Sequence, residues 1–208
     1  MKRATMVLVG LFTAVSAMGQ GPYALPVAET AAPAKARTAG ITAGLNTGRH
    51  SILLGGRGSY APLDGLRLFA DAGWVEVSGW EGGPSFQGGA IYSLPTPLPF
   101  DVAARGTVYV PFVDSDASIV GATLGGVASR DLETLVPGLT VYGSAWLDVI
   151  STSADVHRQS RVEHVSEDHV YLALALGAMF RFSDRLSLFG ELSYVDDPFI
   201  GGGVRVDL

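Results

Sequence analysis

The chain has 208 residues, of which 48% are hydrophobic and only 16% are charged, and its formal net charge is −6. It contains no cysteine, which excludes disulfides, thiolate metal ligands and a cysteine nucleophile. No basic patch with interleaved aromatic residues is present, so nucleic acid is not an expected partner. The 27 glycines argue against long helices, because glycine costs about 1 kcal/mol at each helical position.

Residues 1–19 have the pattern of a signal peptide. Lys2 and Arg3 form a short positive region, residues 6–15 are apolar, and small residues follow around Ala17. The alternative is a transmembrane anchor, but the apolar run is shorter than the roughly 20 residues that a spanning helix needs. We therefore expect export and cleavage.

Residues 20–38 are rich in alanine and proline and have no hydrophobic period. Proline lacks the N–H group that a sheet ladder needs, so this stretch is a poor strand. We interpret it as a flexible periplasmic linker.

From about Ala39 onward, apolar residues recur at every second position. A strand sends neighbouring side chains to opposite faces, so such alternation predicts strands with one apolar and one mixed face. Residues 186–195 show it clearly: one face carries Leu186, Leu188, Gly190, Leu192 and Tyr194, and the other carries Ser187, Phe189, Glu191, Ser193 and Val195.

Ten such segments follow one another, most of them near the 9–11 residues that a tilted strand needs to cross a bilayer. An even number lets both chain ends lie on one side, with short periplasmic turns and longer external loops. Eight strands remain an alternative, because residues 40–60 are also compatible with one bent strand instead of a hairpin across residues 47–50. The ten segments are 40–47, 51–60, 66–77, 85–94, 101–112, 118–129, 139–150, 169–182, 186–195 and 198–208.

The mixed face has few charges, and positive and negative residues on it balance. A soluble β-sandwich would need a densely polar outer face, whereas balanced charge suits the closed interior of a narrow barrel, where unpaired charge is costly. The fold predicted is therefore all-β, an antiparallel up-and-down transmembrane β-barrel. Its lumen charge network is predicted to contain Arg57, Arg67, Asp71, Asp101, Arg105, Asp148, Arg181, Glu191, Arg205 and Asp207.

Aromatic residues on the apolar face fall near several strand ends. Interfacial girdles of a membrane barrel need such rings, although packing in an ordinary core is the alternative explanation. The predicted girdle consists of Tyr60, Trp74, Tyr92, Phe112, Phe180, Phe182 and Tyr194.

Three stretches carry a resemblance to a known class of proteins: YAPLDGLRLFADAGW (60–74), FRFSDRLSLFGELSY (180–194) and FIGGGVRVDL (199–208). With the leader, they resemble the small bacterial outer-membrane β-barrel proteins, broadly the OmpA-like or OmpW-like porin-type superfamily. The resemblance implies a Gram-negative outer membrane as location, its lipids as partners, and assembly by the barrel-insertion machinery. It implies no cofactor.

For function, we expect a non-enzymatic barrel with a structural or surface role, or a narrow porin-like pore. Two alternatives use the polar stretch 151–168, which we predict to be a long external loop. One is an outer-membrane hydrolase with a rim site at His157, His164 and His169, since imidazole with nearby carboxylates can activate water. The other is an adhesin or binding protein.

Overall fold

A computed structural model describes residues 29–78, 82–112, 117–158, 161–195 and 197–208, without the side chains of 117, 154–158 and 161–165. The predicted signal peptide lies outside these residues, as do residues 20–28 of the predicted linker. No helix in the described part is long and apolar enough to cross a membrane.

Ten strands form one closed antiparallel barrel in which each strand pairs with its sequence neighbours and β1 pairs with β10. This confirms the predicted up-and-down barrel and selects ten strands over eight, since residues 40–60 form a hairpin. The strands are β1 Ala39–Gly48, β2 Ser51–Leu63, β3 Leu66–Val77, β4 Gly83–Leu94, β5 Asp101–Pro111, β6 Ala117–Asp131, β7 Leu139–Arg158, β8 Arg161–Arg181, β9 Leu186–Tyr194 and β10 Pro198–Asp207.

The closing ladder runs from Gly40 opposite Asp207 to Gly48 opposite Phe199. Closure gives each backbone N–H and C=O along the seam a partner, so the sheet has no exposed edge there. We call the end of the barrel that holds Ala39 and Asp207 the terminal end, and the opposite end the distal end.

The alternation of the sequence becomes an inner and an outer wall. Along β5, for example, Ala103, Arg105 and Thr107 are buried while Ala104 and Val108 are exposed. On the outer wall, the charged side chains of the described strands are Glu76 and Arg130, near strand ends, and Asp168, where β8 extends beyond its ladder with β9.

The prediction of a loop over residues 151–168 is wrong for the backbone that the structure describes. Strands β7 and β8 are 20 and 21 residues long and stay paired from Leu139 opposite Phe180 to Arg158 opposite Arg161. Polar composition suggested a loop, but two polar strands that extend beyond a barrel satisfy each other's backbone hydrogen-bonding groups without needing an apolar face. We call residues 151–168 the distal hairpin.

Glycines on the inner wall make room for aromatic rings on the adjacent strand. Tyr109 lies directly opposite Gly121, and Tyr142 directly opposite Gly177. A Cβ atom at Gly121 would stand 2.0 Å from the Tyr109 ring, and one at Gly177 would stand 2.2 Å from the Tyr142 ring. The rings therefore lie flat against the wall, which lets a narrow barrel hold large side chains.

Candidate functional site in the barrel lumen

The lumen has an apolar layer toward the distal end. It is built by strand positions that point inward near the distal ends of β2, β3, β5, β6 and β7, where the sequence places large apolar residues. The buried members are Leu53, Val75, Val77, Tyr109, Ile119 and Ile150. This layer places packed apolar side chains inside the lumen at that level.

A charged layer follows toward the terminal end, and Arg57 with Asp71 is its best-defined pair. The two residues face each other across β2 and β3, with Nε of Arg57 2.7 Å from Oδ1 of Asp71 and Nη2 2.8 Å from Oδ2. Arg57 also stacks over the Phe69 ring at 4.5 Å. Such a bidentate geometry offsets much of the cost of burying both charges.

Residues 29–38 of the predicted linker enter the barrel from the terminal end. The backbone N–H of Arg37 donates to the carbonyl of Ala61, that of Gly65 donates to Ala34, and that of Ala36 donates to the Asp64 carboxylate. Deeper in the lumen, the N–H of Ala31 donates to the Ser129 hydroxyl at 2.9 Å. Gly65 has φ of +77°, a conformation suited to glycine, and so presents its N–H to this segment.

Glu29 is the innermost described residue of that segment, and none of its surface is exposed. Its carboxylate accepts a hydrogen bond from Arg67, accepts another from Nη1 of Arg205 at 2.9 Å, and lies 3.8 Å from Nη1 of Arg57. Burial alone would raise the pKa of Glu29, but the guanidiniums of Arg205, Arg67 and Arg57 outweigh it and lower the pKa from 4.5 to about 2. Glu29 is therefore ionised at neutral pH and ties three strands together.

Arg105 is a further buried guanidinium of the charged layer. It lies over the Phe69 ring at 5.4 Å, and none of its three nitrogens has a hydrogen-bond acceptor among the described residues. Two acidic residues of the inner wall are instead bonded by tyrosines: the Tyr142 hydroxyl donates to Glu191 at 2.9 Å, and the Tyr109 hydroxyl donates to Asp148 at 3.0 Å.

Four residues of the predicted network lie at the terminal mouth. Arg205 Nε bonds Asp207 at 2.9 Å, while Asp101 and Arg181 line a cavity of about 280 Å³. Arg181 pairs with Glu133 at 3.0 Å, and the two side chains are 54% and 52% exposed. That pair belongs to the rim rather than to the buried interior.

Apolar alternation did not predict Glu29 as a lumen residue, although its carboxylate contacts three of the predicted arginines. It stands in an alanine- and proline-rich stretch without alternation, so no period assigns it to an inner wall. The balance of the predicted network gives no hint of it either, because five arginines were already matched by five carboxylates on the mixed face.

The predicted aromatic girdle divides between the two ends of the outer wall. Tyr60, Tyr92 and Phe182 lie toward the terminal end with half-buried Phe180, and Trp74, Phe112 and Tyr194 lie toward the distal end. All but Phe180 are exposed. Phe86, which the prediction omitted, packs edge-on against Phe112 with ring centroids 6.1 Å apart.

The three histidines of the hydrolase hypothesis belong to the distal hairpin or lie beside it. The backbone sets His157 opposite Val162 and His164 opposite Asp155, and the side chains of all four lie outside the description. His169 stacks on Tyr171, and its Nε2 is 3.5 Å from the Glu167 carboxylate. The hydrolase hypothesis stays a prediction: replacing His157, His164 and His169 together should abolish any hydrolysis of lipid or peptide.

No protein-family model and no curated protein matches the chain. Solved structures with a similar barrel include the N-terminal β-barrel domain of Pseudomonas aeruginosa OprF, at 15% identity over 84% of this chain and 100% of that one, with a TM-score of 0.42. The KdgM porin is 10% identical over 80% and 98%, with a TM-score of 0.44. Ail, the attachment invasion locus protein of Yersinia pestis, is 12% identical over 83% and 99%, with a TM-score of 0.40.

Proposed function

We propose that this protein is a bacterial outer-membrane β-barrel with a closed lumen, which serves a structural or surface role and not as an open pore. The observation that carries the proposal is the polarity of its two walls. Charges and hydrogen-bonding groups are collected inside the barrel, and large apolar side chains point outward around it.

The outer wall is unsuited to water. Leu124 and Leu176 are 71% and 72% exposed, and Leu54, Leu172 and Ile200 are also largely exposed. Soluble monomers rarely expose contiguous apolar patches beyond a few hundred Å². A surface of this kind on strands from several sides of a barrel is the surface that lipid chains solvate.

The backbone also suits a bilayer. In hydrocarbon every backbone polar group needs an internal partner, and a closed barrel provides one for each strand. The shortest strand, β9, has 9 residues, which is enough for a tilted strand to span the apolar core. We place the terminal end in the periplasm and the distal hairpin outside the cell, as expected for an exported barrel with an even number of strands.

The filled lumen supports a closed barrel over a pore. The apolar layer and the charged layer lie in series, and residues 29–38 occupy the terminal mouth. A solute would have to displace packed hydrocarbon at one level and break buried ion pairs at another.

Membrane location is tested by fractionation and by a gel-shift experiment. The protein should sediment with the outer membrane, and unheated samples in SDS should migrate differently from boiled ones because a folded barrel resists the detergent. Recovery of the mature chain in the soluble periplasmic fraction would overturn the proposal.

Pore function is tested separately in planar bilayers. We expect purified protein to give no large, stable conductance steps. Regular steps that persist in protein refolded without contaminating porins would show an open channel and contradict the closed lumen.

The distal hairpin favours a second candidate function, binding at the cell surface. The ladder between β8 and β9 ends at Leu174 opposite Tyr194, so β8 continues toward Arg161 without β9 alongside. A strand edge of this kind can pair with a strand of another chain. If this edge pairs with the same edge on a neighbouring cell, cells that express the protein should aggregate. Replacing residues 154–165 by a two-residue turn should abolish that aggregation while the gel shift is retained. Unchanged aggregation would remove this candidate.

A further inference from the structure

We infer that Arg57, Arg67 and Arg205 form a carboxylate-binding site inside the lumen, which the chain fills with its own Glu29 and which a free carboxylate takes over when Glu29 is removed. The inference goes beyond the proposed function, because it concerns the interior of the barrel and holds whether or not the barrel conducts.

The sheet builds this site without help from the segment that fills it. Thr42 on β1 lies opposite Arg205 on one side and opposite Arg57 on the other, so both arginines belong to one row across three strands. Arg67 comes from β3, the next strand. The strand register therefore positions the three guanidiniums. Glu29 does not belong to the sheet and contacts them as a separate ligand would.

The strand residues at the site have a net positive charge that one anion would neutralise. Among the strand residues, Asp71 bonds Arg57, Asp207 bonds Arg205, and Glu191 interacts electrostatically with Arg57 and Arg105. Three carboxylates therefore face the four guanidiniums of Arg57, Arg67, Arg105 and Arg205. In the described part of the chain, the one ion pair of Arg67 is with Glu29. Without Glu29, a single positive charge is left in a buried place, where an uncompensated charge is costly.

The chemistry of the site selects a carboxylate. Three guanidiniums from separate strands converge on two oxygen atoms of one group, with Arg67 and Arg205 both donating to Oε2 and Arg57 nearest Oε1. Two hydrogen bonds to one oxygen and a third guanidinium beside the other suit an anion with two oxygens, which a spherical anion does not present.

Access to the site is from the terminal end. The cavity of about 280 Å³ at that mouth is bordered by Thr30, Ala32, Arg67 and Arg205, and it has room for a small carboxylate such as formate. Toward the distal end lies the apolar layer, whose side chains stabilise an anion poorly. We therefore assign the site to anions that approach from the terminal end of the barrel.

The test is chemical rescue in the full-length protein in detergent micelles. Glu29→Ala removes the carboxylate and leaves space, so the ratio of folded to unfolded protein in urea should fall by at least about tenfold. Sodium formate should restore it, and above the dissociation constant each tenfold rise in formate should raise the ratio about tenfold, as one-site linkage requires. Sodium chloride at equal ionic strength should not.

Two variants control the test. Glu29→Gln removes the charge but leaves no space, so formate should give no specific rescue. Glu133→Ala breaks the exposed pair with Arg181 at the rim, and formate should act on it no differently from chloride.

If Glu29→Ala does not fold, refolding is carried out with formate or chloride present, and a folded band in formate alone supports the site. Equal effects of formate and chloride on Glu29→Ala, or equal formate effects on Glu29→Ala and Glu29→Gln, would overturn the inference. So would full stability of Glu29→Ala without any added anion.

Discussion

The inner and outer walls of this barrel are formed by the same ten strands, yet they differ in where charged side chains occur. The inner wall buries Arg57, Asp71, Arg105, Asp148 and Glu191. Among the described residues, the charged side chains of the outer wall are confined to Glu76 and Arg130 near strand ends and to Asp168, where β8 extends beyond its ladder with β9. Side chains at neighbouring positions of one strand therefore face different environments, one inside the barrel and one outside it.

The reason lies in what each wall offers an ion. Inside, a guanidinium meets a carboxylate, a tyrosine hydroxyl or an aromatic face at bonding distance. Outside, a charge would meet only apolar neighbours and, in our proposal, hydrocarbon. Burial by itself therefore does not exclude charge from a wall; the lack of a partner does.

The largest effect is expected from breaking a charge pair inside. Arg57→Met leaves Asp71 without its bidentate partner and removes one of three cations around Glu29, and should lower the free energy of unfolding by about 3–5 kcal/mol. Urea unfolding in micelles, followed by tryptophan fluorescence, measures it. Arg57→Met combined with Asp71→Leu removes both members and should be less destabilised than the single variant; an equal or larger loss in the double variant would argue against pairing as the cause.

A charge placed on the outer wall should cost somewhat less. Leu124 lies at the middle of β6, and Leu124→Arg should lower the free energy of unfolding in lipid vesicles by about 2–4 kcal/mol. Ser118→Arg is on the same face of the same strand but near its distal end, where the cost should fall to about 0–1 kcal/mol. Equal costs at the two depths would contradict a bilayer around this wall.

Acid should weaken the inner wall through Glu29. Its pKa is lowered to about 2 in the folded protein, so its charge stabilises the fold fully above pH 4.5, and that contribution is lost as the pH falls from 4.5 through 2. The shift corresponds to at most about 3 kcal/mol. Unfolding measured across this window should have a smaller pH dependence in Glu29→Gln than in the unaltered protein, and identical slopes would contradict the ionised carboxylate.

The smallest effect is expected from a single methyl group on either wall. Gly121→Ala drives a Cβ into the Tyr109 ring and should cost about 1–3 kcal/mol. Gly190→Ala adds the same methyl to the outer wall of β9, where no atom lies within 4 Å, and should be nearly neutral. Thermal unfolding of both variants decides it; similar losses would mean that sheet propensity, and not the ring, sets the cost.

How far the inner wall could be predicted differs from residue to residue. Arg57 and Asp71 are assigned to one face by alternation alone, and only the register of β2 with β3 makes them opposite partners. Glu29 carries no periodic signal, because its segment runs through the lumen without joining the sheet. The strands of the distal hairpin were predicted as a loop for a different reason. Their sequence is polar on both faces, so it has no apolar stripe that would indicate a strand.

Alternation in the sequence determined that residues from about Ala39 onward form strands with two unlike faces, and it determined which side chains share a face, because a strand has a period of two whatever it packs against. Tertiary structure alone decided the partners. Closure of β1 on β10 brought Arg205 beside Arg57 from almost 150 residues away along the chain. Contacts across such distances depend on the register of the strands and, for Glu29, on a segment that runs through the lumen. Local periodicity predicts neither of them.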